Sequence, residues 1–145
     1  MRAENIIVPL LLADNTHDGI HGRTKLQKFV FLLQKQLGDS CPSSYNFIPY
    51  DYGPFSKELA EDMTELQDEG FVEKREIVMG NKVEHRYKIT DDGHRELEHL
   101  KSEFNIGDTA QVSEELVGKW NKNSLRRLIS YVYSKYPRYA EKSVL

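Results

Sequence analysis

A single cysteine, Cys41, occurs in 145 residues. That excludes an intramolecular disulfide and any zinc site built on several thiolates. No apolar run approaches the roughly 20 residues that span a bilayer. The longest, Ile6 to Ala13, is interrupted by Pro9. No basic segment leads into a longer apolar stretch at the chain start, so no secretory signal is expected. With the lone thiol, this points to a cytoplasmic setting and to no membrane contact. A glycine-rich phosphate loop and a nucleophile elbow are both missing, so a non-enzymatic role without a cofactor is expected. Excess positive charge is missing too. Lys and Arg number 20 against 23 Asp and Glu, a net charge of -3, so the chain as a whole does not attract nucleic acid.

What is present is ordinary in amount and uneven in placement. Apolar residues make up 39% of the chain, as in globular domains long enough to bury a core. Between Lys57 and Glu76, the carboxylates Glu58, Glu61, Asp62, Glu65, Asp68, Glu69, Glu73 and Glu76 meet only Lys57, Lys74 and Arg75. Between Lys119 and Lys142, the cations Lys119, Lys122, Arg126, Arg127, Lys135, Arg138 and Lys142 stand against Glu141 alone. The charge is polarised along the chain.

Asn5 reads as the N-cap of a first helix whose apolar stripe is Ile6, Ile7, Leu10 and Leu11. Residues 13–22, with two glycines, read as a loop. Thr24 reads as the cap of a second helix, with Leu26, Phe29, Val30 and Leu33 on one face and Gly38 at its end. Residues 39–55 are turn-rich but carry Phe47, Ile48, Tyr50 and Tyr52, which suggests a packed loop or a short extended stretch. Ser56 caps a third helix with Leu59, Met63 and Leu66 inward and Gly70 at its end. A hairpin follows, Phe71 to Met79 against Lys82 to Ile89, around Gly80-Asn81 in the order a type II′ turn favours. On its second strand Val83, His85, Tyr87 and Ile89 alternate with Lys82, Glu84, Arg86 and Lys88. Thr90 caps a fourth helix, with Asp91 and Asp92 at its positive end and Leu97 and Leu100 inward. Ser113 reads as the cap of a short helix holding Leu116, Val117 and Trp120. Ser124 caps the last, whose stripe is Leu125, Leu128, Ile129, Val132 and Tyr133, and Pro137 stops it.

This order predicts an α+β fold: a mainly helical winged helix-turn-helix with a two-stranded wing hairpin over residues 1–104. A C-terminal helical extension, residues 105–145, is expected to pack on it or on a second copy, and a homodimer is expected. Phe71-Val72-Glu73-Lys74 with Tyr87-Lys88-Ile89-Thr90-Asp91-Asp92-Gly93 resembles the wing of MarR- and PadR-type regulators. Gly22-Arg23-Thr24-Lys25-Leu26-Gln27-Lys28 with Tyr50-Asp51-Tyr52-Gly53-Pro54-Phe55-Ser56 resembles the YwgA-like family of bacteria and archaea, over roughly residues 20–100. More distantly, the Lys-Leu-Gln-Lys helix and the Gly-Pro step resemble the Panacea antitoxin domain, which implies toxin neutralisation by protein contact.

In winged-helix proteins the helix before the hairpin usually enters the DNA major groove. Here that helix, residues 56–69, carries the acidic run, and phosphates would repel it. DNA contact is therefore expected elsewhere. Arg23, Lys25 and Lys28 join basic side chains to the positive end of a helix. Lys82 and Arg86 extend from the wing. Arg126, Arg127 and Lys135 interleave with Tyr131, Tyr133, Tyr136 and Tyr139, a mixture suited to phosphate contact and base stacking, or to a dimer interface. The alternative is a protein-interaction module in which Glu58, Glu61, Asp62 and Glu65, with Tyr50 and Tyr52, engage a basic partner. His17, Asp18 and His21 have metal-like spacing but sit among glycines, and no metal is expected. Cys41 lacks a basic neighbour that would activate it.

Overall fold

Five consecutive apolar residues, Phe29 to Leu33, leave a helix no polar face at that point, and such a helix must be enclosed. In the computed structural model, which describes residues 1–145, α2 (Arg23–Leu37) is enclosed in this way: Lys25 through Leu33 are all buried. α1 (Ala3–Asp14) lies beside it and is buried continuously from Asn5 to Ala13. The first helix thus starts two residues before Asn5. The Asn5 side chain is not a cap; fully buried, it accepts from the Ser44 backbone N–H at 3.0 Å. Thr24 is not a cap either, because Gly22, at φ 108°, precedes the first residue of α2.

The stretch expected to be a loop before α2 contains a short strand, β1 (Ile20–His21). It pairs antiparallel with the second arm of a long hairpin, Ile20 opposite Tyr87 and His21 opposite Arg86. The hairpin is β4 (Val72–Met79) and β5 (Lys82–Ile89), in register from Val72–Ile89 to Met79–Lys82, and the sheet order is β1-β5-β4. Gly80 has φ 63° and no non-glycine residue has positive φ, as the type II′ reading of Gly80-Asn81 requires. A second, two-stranded sheet joins β2 (Ile48–Tyr50) to β3 (Gly53–Phe55).

α3 (Lys57–Asp68) starts at Ser56, whose hydroxyl accepts from the Leu59 N–H at 3.1 Å, and it buries Leu59, Met63 and Leu66. α4 (Asp91–Glu103) is capped by Thr90, which accepts from Gly93 N–H at 3.0 Å. Gly93 lies so close to the hairpin that an added Cβ would come within 2.0 Å of the Phe71 carbonyl oxygen. α5 (Thr109–Trp120) begins four residues before Ser113. Ser113 is therefore interior, and its buried hydroxyl meets the Asn15 side chain at 2.8 Å. α6 (Leu125–Lys135) is capped by Ser124, and Pro137 opens a 3-10 turn, Pro137–Ala140. One hydrophobic cluster runs from α1 and α2 through Leu59, Leu66, Tyr87 and Leu97 to Trp120, Leu128, Val132 and Tyr139.

Candidate ligand cleft and nucleic-acid interface

Because α2 is enclosed from Lys25 to Leu33, the polar residues of that stretch, Lys25, Gln27 and Lys28, are enclosed with it. Gln27 uses both ends of its amide on Ser56: it accepts from the Ser56 N–H at 2.9 Å and donates to the Ser56 carbonyl at 3.0 Å. This fixes the start of α3 against α2. The Lys28 ammonium donates to the Pro54 carbonyl at 3.0 Å, and the Lys25 ammonium donates to the carbonyls of Asn121 and Asn123, both at 2.5 Å. Lys25 therefore holds the C-terminal end of α5, where the helix dipole favours a cation. Asn121 completes this joint. Its amide donates to the Gly19 carbonyl and its oxygen accepts from the His21 N–H, each at 3.0 Å.

Lys25 and Lys28 are 5% and 2% exposed, so the solvent-facing charge expected of them is absent. Their ammonium groups donate to backbone carbonyls, although Lys28 lines one of two depressions beside α2 and Lys25 the other. Burial pushes both below the ordinary lysine value, Lys28 down to about 7 with no opposing charge to hold it up. A helix apolar on every side was the sequence signal that its lysines would be covered.

Two depressions flank the start of α2. The first is a cleft of about 500 Å³ between α2, the β2–β3 turn, α3 and the hairpin. Lys28, Leu26 and Gln27 line it from α2, and Tyr50, Tyr52 and Phe55 from the small sheet. Met63 faces it from α3, and Lys74 with its register partner Tyr87 from the hairpin. Tyr50 and Phe55 stack with ring centroids 5.0 Å apart. Lys74 and Tyr87 were not expected as site residues, because only the strand register brings them together in the lining of this cleft.

The second is an open groove of about 710 Å³ between the outer half of the hairpin and the loop joining α5 to α6. Arg23, Lys82, Arg86 and Lys122 line it, with Asn123, Ser124 and the exposed Met79 and Val83. Arg126 and Arg127 follow in the exposed first turn of α6. Arg86 is neutralised locally, 2.7 Å from Glu84 and 3.4 Å from Asp18. His21 joins the same pair of acids, at 3.1 Å from Asp18, and no group of three metal-ligating side chains is assembled. Arg23, Lys82, Lys122, Arg126 and Arg127 take part in no ion pair, whereas Arg75, Arg95 and Lys101 do.

The other expected residues divide. Glu58, Glu61 and Glu65 are exposed on α3. Asp62 is not: it is 5% exposed and accepts the Tyr45 hydroxyl at 2.7 Å, so it belongs to the core rather than to an acidic face. Tyr50 and Tyr52 remain 49% and 44% exposed. The tyrosines of α6 and the turn after it are used within the chain. Tyr136 and Tyr139 pack on Phe31, Tyr131 lies 5.1 Å from Trp120, and the Tyr133 ring closes on Gly53. Lys135 sits over Tyr131, at the end of α6 away from the groove. Burial pushes the Cys41 thiol up, which disfavours a reactive thiolate.

The chain is similar to the uncharacterized protein YwgA of Bacillus subtilis. The two are 32% identical over 80 residues, 55% of this chain and 46% of that protein. The chain thus matches a little under half the length of that relative. No family model matches the sequence. The similarity to YwgA supports the YwgA-like resemblance drawn from the paired motifs, and Gln27 with Ser56 and Lys28 with Pro54 give those motifs a shared physical role.

Proposed function

We propose that this chain is a non-enzymatic regulatory module of the winged-helix type that binds duplex DNA by its phosphates, in the groove between the hairpin and α6. The carrying observation is the set of exposed cations outside any ion pair, Arg23, Lys82 and Lys122, that line this groove in a molecule whose net charge is -3, with Arg126 and Arg127 exposed in the adjoining first turn of α6. The sequence of α3, hairpin and α4, with β1 added to the free edge of β5, supports the winged-helix reading. Exposed Glu58, Glu61, Glu65 and Asp68 turn α3 away from phosphate, so the reading helix of such folds is not the contact here.

The test is fluorescence anisotropy of a labelled random duplex, titrated with protein over a range of salt. Binding should weaken as salt rises, with a log–log slope of about -0.9 for each phosphate contact. In the double variant Arg126→Glu with Arg127→Glu, both slope and affinity should fall. A protein that leaves the duplex unbound even at low salt overturns the proposal.

A second reading has its own observation. The exposed carboxylates of α3 lie on the same side of the chain's third helix and meet no side-chain cation, Glu65 pairing only with the N-terminal amine at 3.5 Å. With the exposed Tyr50 and Tyr52, this surface suits a basic protein partner. Glu61→Lys with Glu65→Lys abolishes function in that case and leaves duplex binding intact in the first.

A further inference from the structure

The groove accounts for the exposed cations but leaves Lys28 unexplained. Lys25, its neighbour one turn earlier, has two carbonyl acceptors at a helix end. Lys28 has three N–H donors and one neutral acceptor, the Pro54 carbonyl, and is 2% exposed. A buried ammonium without an anionic partner is costly, and an anion arriving beside it favours the charged form. The cleft it lines falls within the roughly 300–1,000 Å³ of small-molecule sites. Its charges are unbalanced in the same sense. Arg23 and Lys74 stand at the mouth, exposed and outside any ion pair, and Asp51 is the one carboxylate in the lining. The same lining holds flat and apolar surfaces: Tyr50 stacked on Phe55, and Met63.

We infer that this cleft binds a small organic anion. A phosphate or carboxylate head lies at Lys28 between Arg23 and Lys74, and a flat apolar body lies against Tyr50, Phe55 and Met63. The body is needed as well as the head, because the lining adds the apolar surfaces of Tyr50, Phe55 and Met63 to its polar groups Thr24, Thr64 and Gln67.

Isothermal titration of the whole chain with phenyl phosphate, benzoate, adenosine monophosphate and inorganic phosphate tests this. At least one of the three aromatic anions should bind saturably, and more tightly than inorganic phosphate. Whether phenyl phosphate or benzoate is preferred decides the head group. Lys28→Met should weaken that binding by at least about tenfold, the worth of one charge-assisted hydrogen bond. Because Lys28 is buried, the surface double variant Arg23→Gln with Lys74→Gln provides an independent check and should weaken binding similarly. Absence of binding by all three aromatic anions at millimolar concentration overturns the inference. So does native affinity in both variants.

Discussion

The cleft and the groove share a wall at Arg23, yet they handle positive charge in opposite ways. In the groove Lys82 and Lys122 stand in water, where their attraction for anions is long-ranged, weak per contact and screened by salt. In the cleft Lys28 is withdrawn from water, where one charge is costly when alone and strong when paired. A surface of the first kind suits a repeating polyanion read by its backbone. The second kind suits one small ligand held at a fixed point. Two surfaces that both gather basic residues therefore have different uses, and the difference comes from the burial of Lys28 on α2.

The largest way to disturb this arrangement is to remove the buried cation that supports the groove. Lys25→Met leaves the carbonyls of Asn121 and Asn123 without their donor, and thermal or denaturant unfolding should show a loss of about 3 kcal/mol. Gln27→Ala strands the N–H and carbonyl of Ser56, and the same measurement should show about 2 kcal/mol.

Lys28 should behave in the reverse sense. Burial holds it at about 7 in the folded chain against 10.5 ordinarily, so between those values the unfolded state binds more protons. Its destabilising effect is complete below pH 7 and fades as pH rises toward 10.5. Native stability should therefore climb across that window, by at most about 1.4 kcal/mol per unit. Lys28→Met should lose this pH dependence, and its stability relative to the native chain should fall as pH rises, because at high pH the Pro54 carbonyl has lost its donor and no buried charge has been relieved. Denaturant midpoints of both proteins across that pH range check it.

Smaller effects are expected on the open side. Lys82→Glu with Lys122→Glu should leave unfolding within about 0.5 kcal/mol. The same change should make the salt dependence of duplex binding shallower, by about 0.9 in log–log slope for each phosphate no longer neutralised. Smallest of all, Glu61→Lys with Glu65→Lys should not weaken duplex binding, which anisotropy reads directly.

Much of the local structure was legible in the chain. Ser56, Thr90 and Ser124 accept the hydrogen bonds expected of helix caps, and Gly80-Asn81 makes the hairpin turn, because these are decided within a few residues. Asn5, Thr24 and Ser113 have the same cap-forming chemistry but lie inside or at the first turn of helices whose starts are set by packing. The acidic face of α3 was readable from spacing alone, except at Asp62, which Tyr45 draws inward from a segment 17 residues away. The site was less legible. Lys25 and Lys28 read as surface charge in the sequence, whereas packing covers α2 from Lys25 to Leu33. Lys74 and Tyr87 joined the cleft through strand register, and Lys122 joined the groove through the Lys25 and Asn121 joint, neither of which a linear pattern displays.

Backbone amide chemical-shift mapping during titration with a random duplex tests the central claim most directly. The predicted result is perturbation of Arg23, Lys82 and Lys122 through Arg127, with Lys57 through Asp68 unmoved. Perturbation centred on residues 57–68, or none anywhere at excess duplex and low salt, would contradict it.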